Sequence, residues 1–176
     1  MVVTNDAEVD ATLRLLRNHG EAEPGCASII GQNSRLDELQ AAVLRTKLDH
    51  LDVWNERRRA LASFYTHELR EGPVALPGTA AGRLHSFHLF VVRVGDRDDF
   101  RRRLAAAGVA SMVHYPRPLH RHPAYTELAE CSERLPMSER LSGEVVSLPL
   151  YPELSDVEAM AVVAAVREAT SRQSLN

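Results

Sequence analysis

Lysine is almost absent from this chain. The 176 residues include 21 basic side chains, of which twenty are arginine and one, Lys47, is lysine. Lys47 is therefore the single residue of this sequence that could act as a lysine nucleophile. Cysteine is scarce as well, and because Cys26 and Cys131 lie far apart in the sequence, a disulfide framework is not expected.

Long apolar runs and an excess of positive charge are also missing. No apolar stretch approaches the roughly 20 residues that a membrane-spanning helix needs. The formal net charge of −3 gives no reason to expect nucleic-acid binding. The triplets 57–59 and 101–103 (both RRR) have acidic neighbours, which indicates exposed helix surface. These features, with no secretory signal pattern, favour a cytoplasmic protein with neither a membrane nor a nucleic-acid partner.

The first half of the chain is predicted to be mainly helical. A short strand is expected at 1–4, followed by a helix whose apolar residues recur at helical spacing: Val9, Leu13 and Leu16. Gly20 follows at a position where a helix end favours a left-handed residue. From 36 to 69 the pattern is helical again, and a shift of the apolar stripe near Asp49 indicates two helices or one bent helix.

The second half alternates strands and helices, which predicts an α/β unit from 86 to 169 with a small, partly antiparallel sheet. Residues 87–94 (FHLFVVRV) are expected to form its central strand, buried on both faces. A short helix closed by Gly108 is predicted to follow this strand, and further strands are predicted at 109–114 and 145–149, with one or two short helices between those two strands. Ser155 is expected to cap a terminal helix. The predicted apolar face of that helix comprises Val157, Met160, Val163 and Val166.

The segment 31–42 (GQNSRLDELQAA) is the first that could carry chemistry. Asn33 and Ser34 are predicted to precede a helix directly, where free backbone N–H groups and the positive end of the helix dipole favour an anion such as phosphate. The same residue types are favoured helix caps. From the residues alone, an anion site and a simple cap both stay open.

Histidines concentrate between 114 and 122 (HYPRPLHRH), where the prolines stiffen the backbone. Three of them, His114, His120 and His122, have a spacing that zinc could use, but no cysteine or carboxylate lies among them, and we expect no metal site. His85 and His88 flank the start of the predicted strand. Their odd separation places them on opposite faces of it.

Four motifs occur in an order that resembles a known family: GQNSRLDELQAAVL, HSFHLFVVRV, HYPRPLHRHPAY and SLPLYPELSD. Together they look like the C-terminal part of the DegT–DnrJ–StrS group of sugar aminotransferases, and the resemblance covers essentially the whole chain. It implies a fold-type-I enzyme that depends on pyridoxal 5′-phosphate (PLP), normally a homodimer with active sites shared between subunits. Such enzymes transfer an amino group, usually from glutamate, to a keto sugar attached to a nucleotide.

The resemblance also implies roles for individual residues. Asn33 matches an asparagine that reaches across the dimer to the PLP phosphate of the partner subunit. His114 and Tyr115 match a segment close to the active-site entrance and are candidates for contact with the substrate. His85 is a further candidate for the same role.

The resemblance divides the chain into three parts. Residues 1–35 correspond to a remnant of the large PLP domain and the dimer loop, 36–85 to a long helical connection, and 86–176 to the small C-terminal α/β domain. The family's PLP-attaching lysine belongs to the part that would precede Met1, while Lys47 matches a structural helix position. We therefore expect no catalytic residue in this chain, no activity from it alone and no PLP binding without a second chain or a longer one.

Several interpretations stay open at this point. The chain is an incomplete aminotransferase, completed by upstream sequence or by another chain, or a non-catalytic binding module of the same origin, or a relict fragment. A truncated or split gene and a start codon assigned too late both account for the position of Met1. A PLP-dependent dehydratase of the same family is a further alternative, because the residue that distinguishes it lies in the missing part.

Overall fold

The computed structural model describes residues 2–125 and 135–171. Its elements are α1 (Ala7–Leu16), β1 (Glu21–Glu23), β2 (Cys26–Ala27), α2 (Glu38–Leu48), α3 (Leu51–Leu69), β3 (Phe90–Arg93), α4 (Arg97–Ala106), α5 (Pro136–Glu144), β4 (Val145–Leu148) and α6 (Asp156–Ser171). Two 3₁₀ turns, Leu119–Arg121 and Pro123–Tyr125, lie between α4 and α5. Cys131 lies outside the described residues. The chain divides into two compact units, Met1–Leu51 and Asp52–Asn176.

Backbone contact, rather than a side-chain core, holds the first unit together. Gly20 has a φ of +76°, which confirms the predicted left-handed residue after α1. A Cβ on Gly20 would lie 1.8 Å from the carbonyl oxygen of Ile29, and one on Gly31 would lie 2.1 Å from the Gly20 nitrogen. Only glycine at both positions allows this approach. The pair therefore brings the segment around Gly31 against the end of α1.

Two predictions in this unit need correction. Residues 2–4, the described part of the predicted first strand, are exposed and have no regular structure. Helix α2 begins at Glu38 with Asp37 as its N-cap residue, so neither Asn33 nor Ser34 caps it. Residues 33–37 lie before α2 and are not part of the helix. The break between α2 and α3 agrees with the predicted shift near Asp49.

Apolar side chains of the first unit remain largely in solvent. Helices α1 and α2 bury no side chain, and in the described part of residues 1–51 only Gly20 is buried. Val9 is 44% exposed and Leu16 36% exposed, on the face that the helical spacing marked as apolar. On α2 the exposed apolar residues are Leu39, Val43, Leu44 and Leu48. Within this chain, the unit has no hydrophobic core of its own.

The second unit builds its core around an antiparallel pair of strands and three helices. Strand β3 pairs with β4, with Phe90 opposite Leu148 and Arg93 opposite Val145. The larger core side chains come from these strands and from α3, α4 and α6: Leu61, Tyr65, Leu69, Phe90, Val92, Phe100, Leu104, Val146, Leu148, Val163 and Val166. This small antiparallel sheet covered by helices confirms the predicted α/β fold class.

Strand β3 is shorter than predicted. It spans Phe90–Arg93 because the chain turns at Phe87, whose φ is +48° and whose N–H donates to His85 Nδ1 at 2.7 Å. Phe90 and Val92 are buried, whereas the alternate residues are only partly buried. One face of the strand meets the core, so the prediction of burial on both faces is wrong. The strand lies between β4 and an isolated backbone bridge from Ala75, in agreement with a central position.

The strand predicted at 109–114 is reduced to a single bridge between Met112 and Ser147 on β4. Continuing the same antiparallel register would pair Ala110 with Pro149. Proline has no backbone N–H to donate, and the Pro149 carbonyl already accepts a hydrogen bond from the Tyr65 hydroxyl. The bridge therefore does not extend into a ladder on that side.

Arginines of α3 fix the connection from β4 to α6. Arg57 donates to the carbonyl of Leu154 at 2.6 Å and to the Asp156 carboxylate at 2.8 Å. Arg58 donates to the carbonyl of Leu150 at 3.0 Å. Both arginines are partly buried, as are Arg59, Arg101 and Arg103, so the prediction of exposed surface holds only for Arg102. Their guanidinium groups satisfy carbonyls in an irregular connection, where no strand supplies the donor.

The cap of α6 is confirmed. Ser155 Oγ accepts from the Glu158 N–H at 3.2 Å, and the Glu158 carboxylate accepts from the Ser155 N–H at 2.8 Å, which is a capping box. The bond from the Ser155 N–H to the Glu158 carboxylate, followed by the bond that the Ser155 hydroxyl donates to the same oxygen at 2.7 Å, lowers the pKa of Glu158. The predicted apolar face is half correct: Val163 and Val166 are buried, but Val157 and Met160 are exposed.

Replacing Tyr65 with phenylalanine should lower the free energy of unfolding by about 1 kcal/mol. Tyr65 is fully buried, its hydroxyl donates to the Pro149 carbonyl at 2.9 Å, and burial raises the pKa of that hydroxyl well above its usual value. The folded protein thus keeps a proton that an unfolded tyrosine releases. Stability should fall as the pH rises above about 10, and less steeply in Tyr65→Phe. Urea unfolding of both proteins at neutral and alkaline pH measures this, and parallel declines would contradict it.

Candidate functional site

Asn33 lies in a loop that backbone hydrogen bonds fix to the end of α1. The Gln32 N–H donates to the carbonyl of Leu16 at 2.8 Å, and the Ser34 N–H donates to that of Arg17 at 2.8 Å. Asn33 itself forms a backbone bridge with the chain just after α1. The loop is therefore held on both sides of Asn33, which leaves the asparagine side chain exposed in a defined place.

The side chains of Asn33 and Arg35 are hydrogen-bonded to each other and together offer further N–H donors. The Arg35 Nε donates to Asn33 Oδ1 at 3.2 Å, so the amide oxygen is occupied and the NH₂ group is left to donate outward. Amide and guanidinium N–H groups side by side suit a phosphate dianion. The residues present thus fit the phosphate of PLP. The pair precedes α2 by several residues, so the helix dipole is not what would favour the anion.

His114 lies beside β4, at the Met112 bridge. The Ser147 N–H donates to the Met112 carbonyl at 2.8 Å, and His114 Nδ1 lies 2.9 Å from Ser147 Oγ. Ser147 is 5% exposed, whereas His114 is partly buried. The Tyr115 side chain is 74% exposed and its ring stands edge-on to that of His114, 5.6 Å between centroids. The two predicted substrate residues therefore lie side by side. His114 is hydrogen-bonded to Ser147, and the Tyr115 side chain is exposed to solvent.

His85 is exposed and contacts Phe87. Its ring packs on Phe87 at 4.1 Å between centroids, and its Nδ1 accepts from the Phe87 N–H. Within the part of the chain that the structure describes, no hydrogen bond or ring contact joins His85 to His114 or Tyr115. Asn33 belongs to the first compact unit, and the three substrate candidates belong to the second.

His120 binds a neighbouring helix. Its Nε2 lies 3.2 Å from Glu139 Oε1 on α5, and Arg121 Nη2 lies 2.6 Å from the same oxygen. The hydrogen bond from His120, together with that from Arg121, lowers the pKa of the Glu139 carboxyl. Among residues 2–125 and 135–171, no three His, Cys, Asp or Glu side chains are grouped as metal ligands.

Removing His120 should raise the pKa of Glu139 toward its usual value of 4.5. Because the folded-state pKa is lowered, the contribution of this carboxylate to stability is present above the unfolded pKa and is lost as the pH falls through the folded one. Carboxyl ¹³C NMR titration of the wild type and of His120→Ala measures the change. Arg121→Ala serves as the comparison and should also raise the pKa. An identical Glu139 titration in wild type and His120→Ala would contradict the assigned cause.

Two residues of this site were not identified from the sequence. Arg35 was part of the GQNSR motif, but only its bond to Asn33 shows that it orients the amide. Ser147 was one residue of a predicted strand. A serine inside the apolar run VVSLPL was the available signal, because a buried hydroxyl needs a hydrogen-bond partner.

Comparisons with known proteins bear on the whole chain. Residues 1–167 match the sequence model of the DegT/DnrJ/EryC1/StrS aminotransferase family. The chain is 46% identical over 167 residues to the erythromycin biosynthesis sensory transduction protein EryC1 of Saccharopolyspora erythraea, covering 94% of this chain and 46% of that protein. It is 45% identical over 172 residues to the dTDP-3-amino-3,4,6-trideoxy-alpha-D-glucose transaminase of Streptomyces venezuelae, covering 97% of this chain and 45% of the transaminase.

Solved structures give the same result. The crystal structure of S. venezuelae DesV in complex with a ketimine intermediate superposes with a TM-score of 0.90 at 45% identity, covering 97% of this chain and 46% of that one. A DegT DnrJ EryC1 StrS aminotransferase from Brucella abortus gives a TM-score of 0.85 at 33% identity, covering 96% and 45%.

One further fact limits what the relatives imply for this chain, and a second concerns the membrane. The chain spans about half the length of the curated relatives that it matches. In the described residues, no helix combines the length and apolar character needed to cross a bilayer. Fold, ordered motifs and the family match nevertheless agree along nearly the full sequence. The chain belongs to the DegT/DnrJ/EryC1/StrS aminotransferase family.

Proposed function

We propose that this chain is the C-terminal part of a PLP-dependent aminotransferase that acts on a nucleotide-linked keto sugar, with glutamate as the amino donor. The observation that carries the proposal is the likeness to the S. venezuelae transaminase and structure, at 45% identity over 97% of the chain. In this assignment residues 1–35 belong to the large domain and dimer loop, 36–85 to the helical connection and 86–176 to the small domain.

The residues of this chain would bind and orient. Asn33 and Arg35 would donate hydrogen bonds to the cofactor phosphate of a partner subunit in a homodimer, since both are exposed and form one donor pair. His114 and Tyr115 would contact the sugar nucleotide, with His85 as a further contact. Bound PLP supplies an electron sink that stabilises negative charge at the carbon exchanging its amino group.

The chain alone would be inactive in this proposal. Lys47, its single lysine, is an exposed residue of α2. A catalytic lysine is usually desolvated or placed near another cation, which makes it nucleophilic at neutral pH. The missing groups would come from a longer form of the protein or from a second chain.

A chimera tests this function. The N-terminal part of the S. venezuelae relative, joined to this chain, should transfer the amino group of glutamate to a dTDP-linked keto sugar and release 2-oxoglutarate. Replacing Asn33 with aspartate in the chimera should weaken PLP retention by at least about tenfold, because a carboxylate repels the phosphate that the amide binds. Asn5→Asp, at another exposed asparagine, is the matched control.

The outcomes separate the parts of the proposal. A folded, dimeric chimera without turnover, next to an active parent enzyme, would contradict the assigned function. Equal PLP retention by the Asn33 and Asn5 variants would remove Asn33 from the cofactor site. The chain by itself, incubated with PLP and reduced with borohydride, should yield no specific adduct at Lys47. Such an adduct accompanied by transamination would show that the chain needs no further lysine.

A further inference from the structure

Ser147 occupies an unusual place for a polar residue. It lies in β4 between Val146 and Leu148, which are 0% and 3% exposed, and is itself 5% exposed. Alternation along the strand puts Ser147 on the face opposite those two core residues. Its burial therefore comes from what covers the other face, where the Met112 bridge brings His114 over the strand.

The hydroxyl of Ser147 has one partner in the described structure, Nδ1 of His114 at 2.9 Å. A buried hydroxyl rarely leaves its proton without an acceptor, because the unsatisfied group costs roughly as much as a lost hydrogen bond. The imidazole nitrogen is the acceptor within reach. A neutral ring that accepts at Nδ1 must carry its proton at Nε2.

The other end of the ring is open. Among residues 2–125 and 135–171, no group hydrogen-bonds to His114 Nε2, and the ring is only partly buried. Its neighbour Tyr115 is 74% exposed. An Nε2–H at this position can donate to an oxygen of a bound molecule, which the opposite tautomer cannot do.

We infer that Ser147 is a positioning residue for His114: its hydroxyl donates to Nδ1, holds the neutral imidazole in the Nε2–H tautomer and keeps that N–H available to a substrate oxygen. The substrate as the acceptor rests on the proposed function. The tautomer and its cause rest only on the geometry of this chain. Ser147 contacts no reacting group and acts through the histidine.

The test is the tautomer of His114 in the full 176-residue chain, read by long-range ¹H–¹⁵N correlation of the histidine rings above their titration range. His114→Gln assigns the signals among the eight histidines. The wild type should show a protonated Nε2 and an unprotonated Nδ1. Ser147→Ala should lose this single state and show the exchange-averaged shifts of a free imidazole, while Ser147→Thr, which keeps a hydroxyl, should retain it.

Tyr65→Phe is the matched structural control. It removes another buried hydroxyl bond, at Pro149 two residues along the chain, and so should lower stability without changing the His114 signals. Backbone amide signals of β3 and β4 must show that each variant is folded. An Nδ1–H tautomer in the wild type, or an unchanged tautomer in folded Ser147→Ala, would overturn the inference. Failure of the proposed function is separate, since it appears as absence of turnover in the chimera whatever tautomer the ring adopts.

Discussion

Replacing Phe90 with alanine should lower the free energy of unfolding of the second unit by about 3–5 kcal/mol. Phe90 is 0% exposed, and its ring stands edge-on to that of Tyr65 with 5.2 Å between centroids. The loss combines the transfer of the ring from water, the cavity left behind, and the aromatic pair, which contributes about 0.5–1.5 kcal/mol beyond its buried area. Against a typical stability of about 5–15 kcal/mol, this variant should be close to unfolding at ambient temperature.

Urea unfolding followed by the far-ultraviolet signal measures this loss. Val157→Ala, at a side chain that is 71% exposed on α6, is the control and should change stability by less than about 0.5 kcal/mol. A cost for Phe90→Ala as small as that of the control would mean that β3 is not the centre of the core. The fold assignment of the second unit would then be wrong.

The sequence predicted the type and order of most elements because their ends carry local signals. The Ser155 capping box depends on residues three positions apart, the left-handed Gly108 directly follows the C-cap residue of α4, and the left-handed Gly20 lies four positions after the end of α1. Such signals act within about one turn of the chain. Predictions of which helix face is buried, and of which distant residues are in contact, were less accurate.

The error on α6 has a geometric origin. The residues chosen as its apolar face, Val157, Met160, Val163 and Val166, are spaced three apart. An α-helix turns about 100° per residue, so each step of three falls about 60° short of a full turn, and nine residues move the set about 180° around the helix. Val157 and Met160 therefore lie away from the core, while Ala159 and Val162 are buried. The buried alanines of α6 gave no strong apolar signal.

Prediction of the site residues shows the same difference between local signals and distant contacts. Residue types identified Asn33, His114 and Tyr115 as candidates, but their partners are separated in sequence or look ordinary in it. Ser147 meets His114 from 33 positions away, and no periodicity predicts a contact over that distance. The helix-cap interpretation of Asn33 failed because the favoured cap residues in NSRLD extend over five positions, and the helix begins after the last of them.

The first unit should exchange its amide hydrogens far faster than the second. Amides from Val9 to Leu16 on α1 should exchange at least about a thousandfold faster than those of β3, from Phe90 to Arg93. Helix α1 has ten residues and buries none of them, with Val9 and Leu16 in contact with solvent. Isolated helices of that length are marginal in water, so local opening should cost little. Strand β3 lies in the core and should exchange only when the second unit unfolds.

The exposed apolar face is either covered by another surface in solution or stable without one. Measuring hydrogen exchange at several protein concentrations distinguishes these two explanations. Burial contributes roughly 25 cal/mol per Å², so covering the Val9–Leu16 face of α1 and the apolar residues of α2 would stabilise the first unit by several kcal/mol. We therefore expect the chain to self-associate or to require a partner, and protection of α1 should rise with protein concentration while that of β3 stays constant. Equal protection of α1 and β3 in a sample shown to be monomeric by sedimentation would mean that the first unit is stable without a covering surface. The expectation that a second copy or another partner covers the apolar residues of 1–51 would then be wrong.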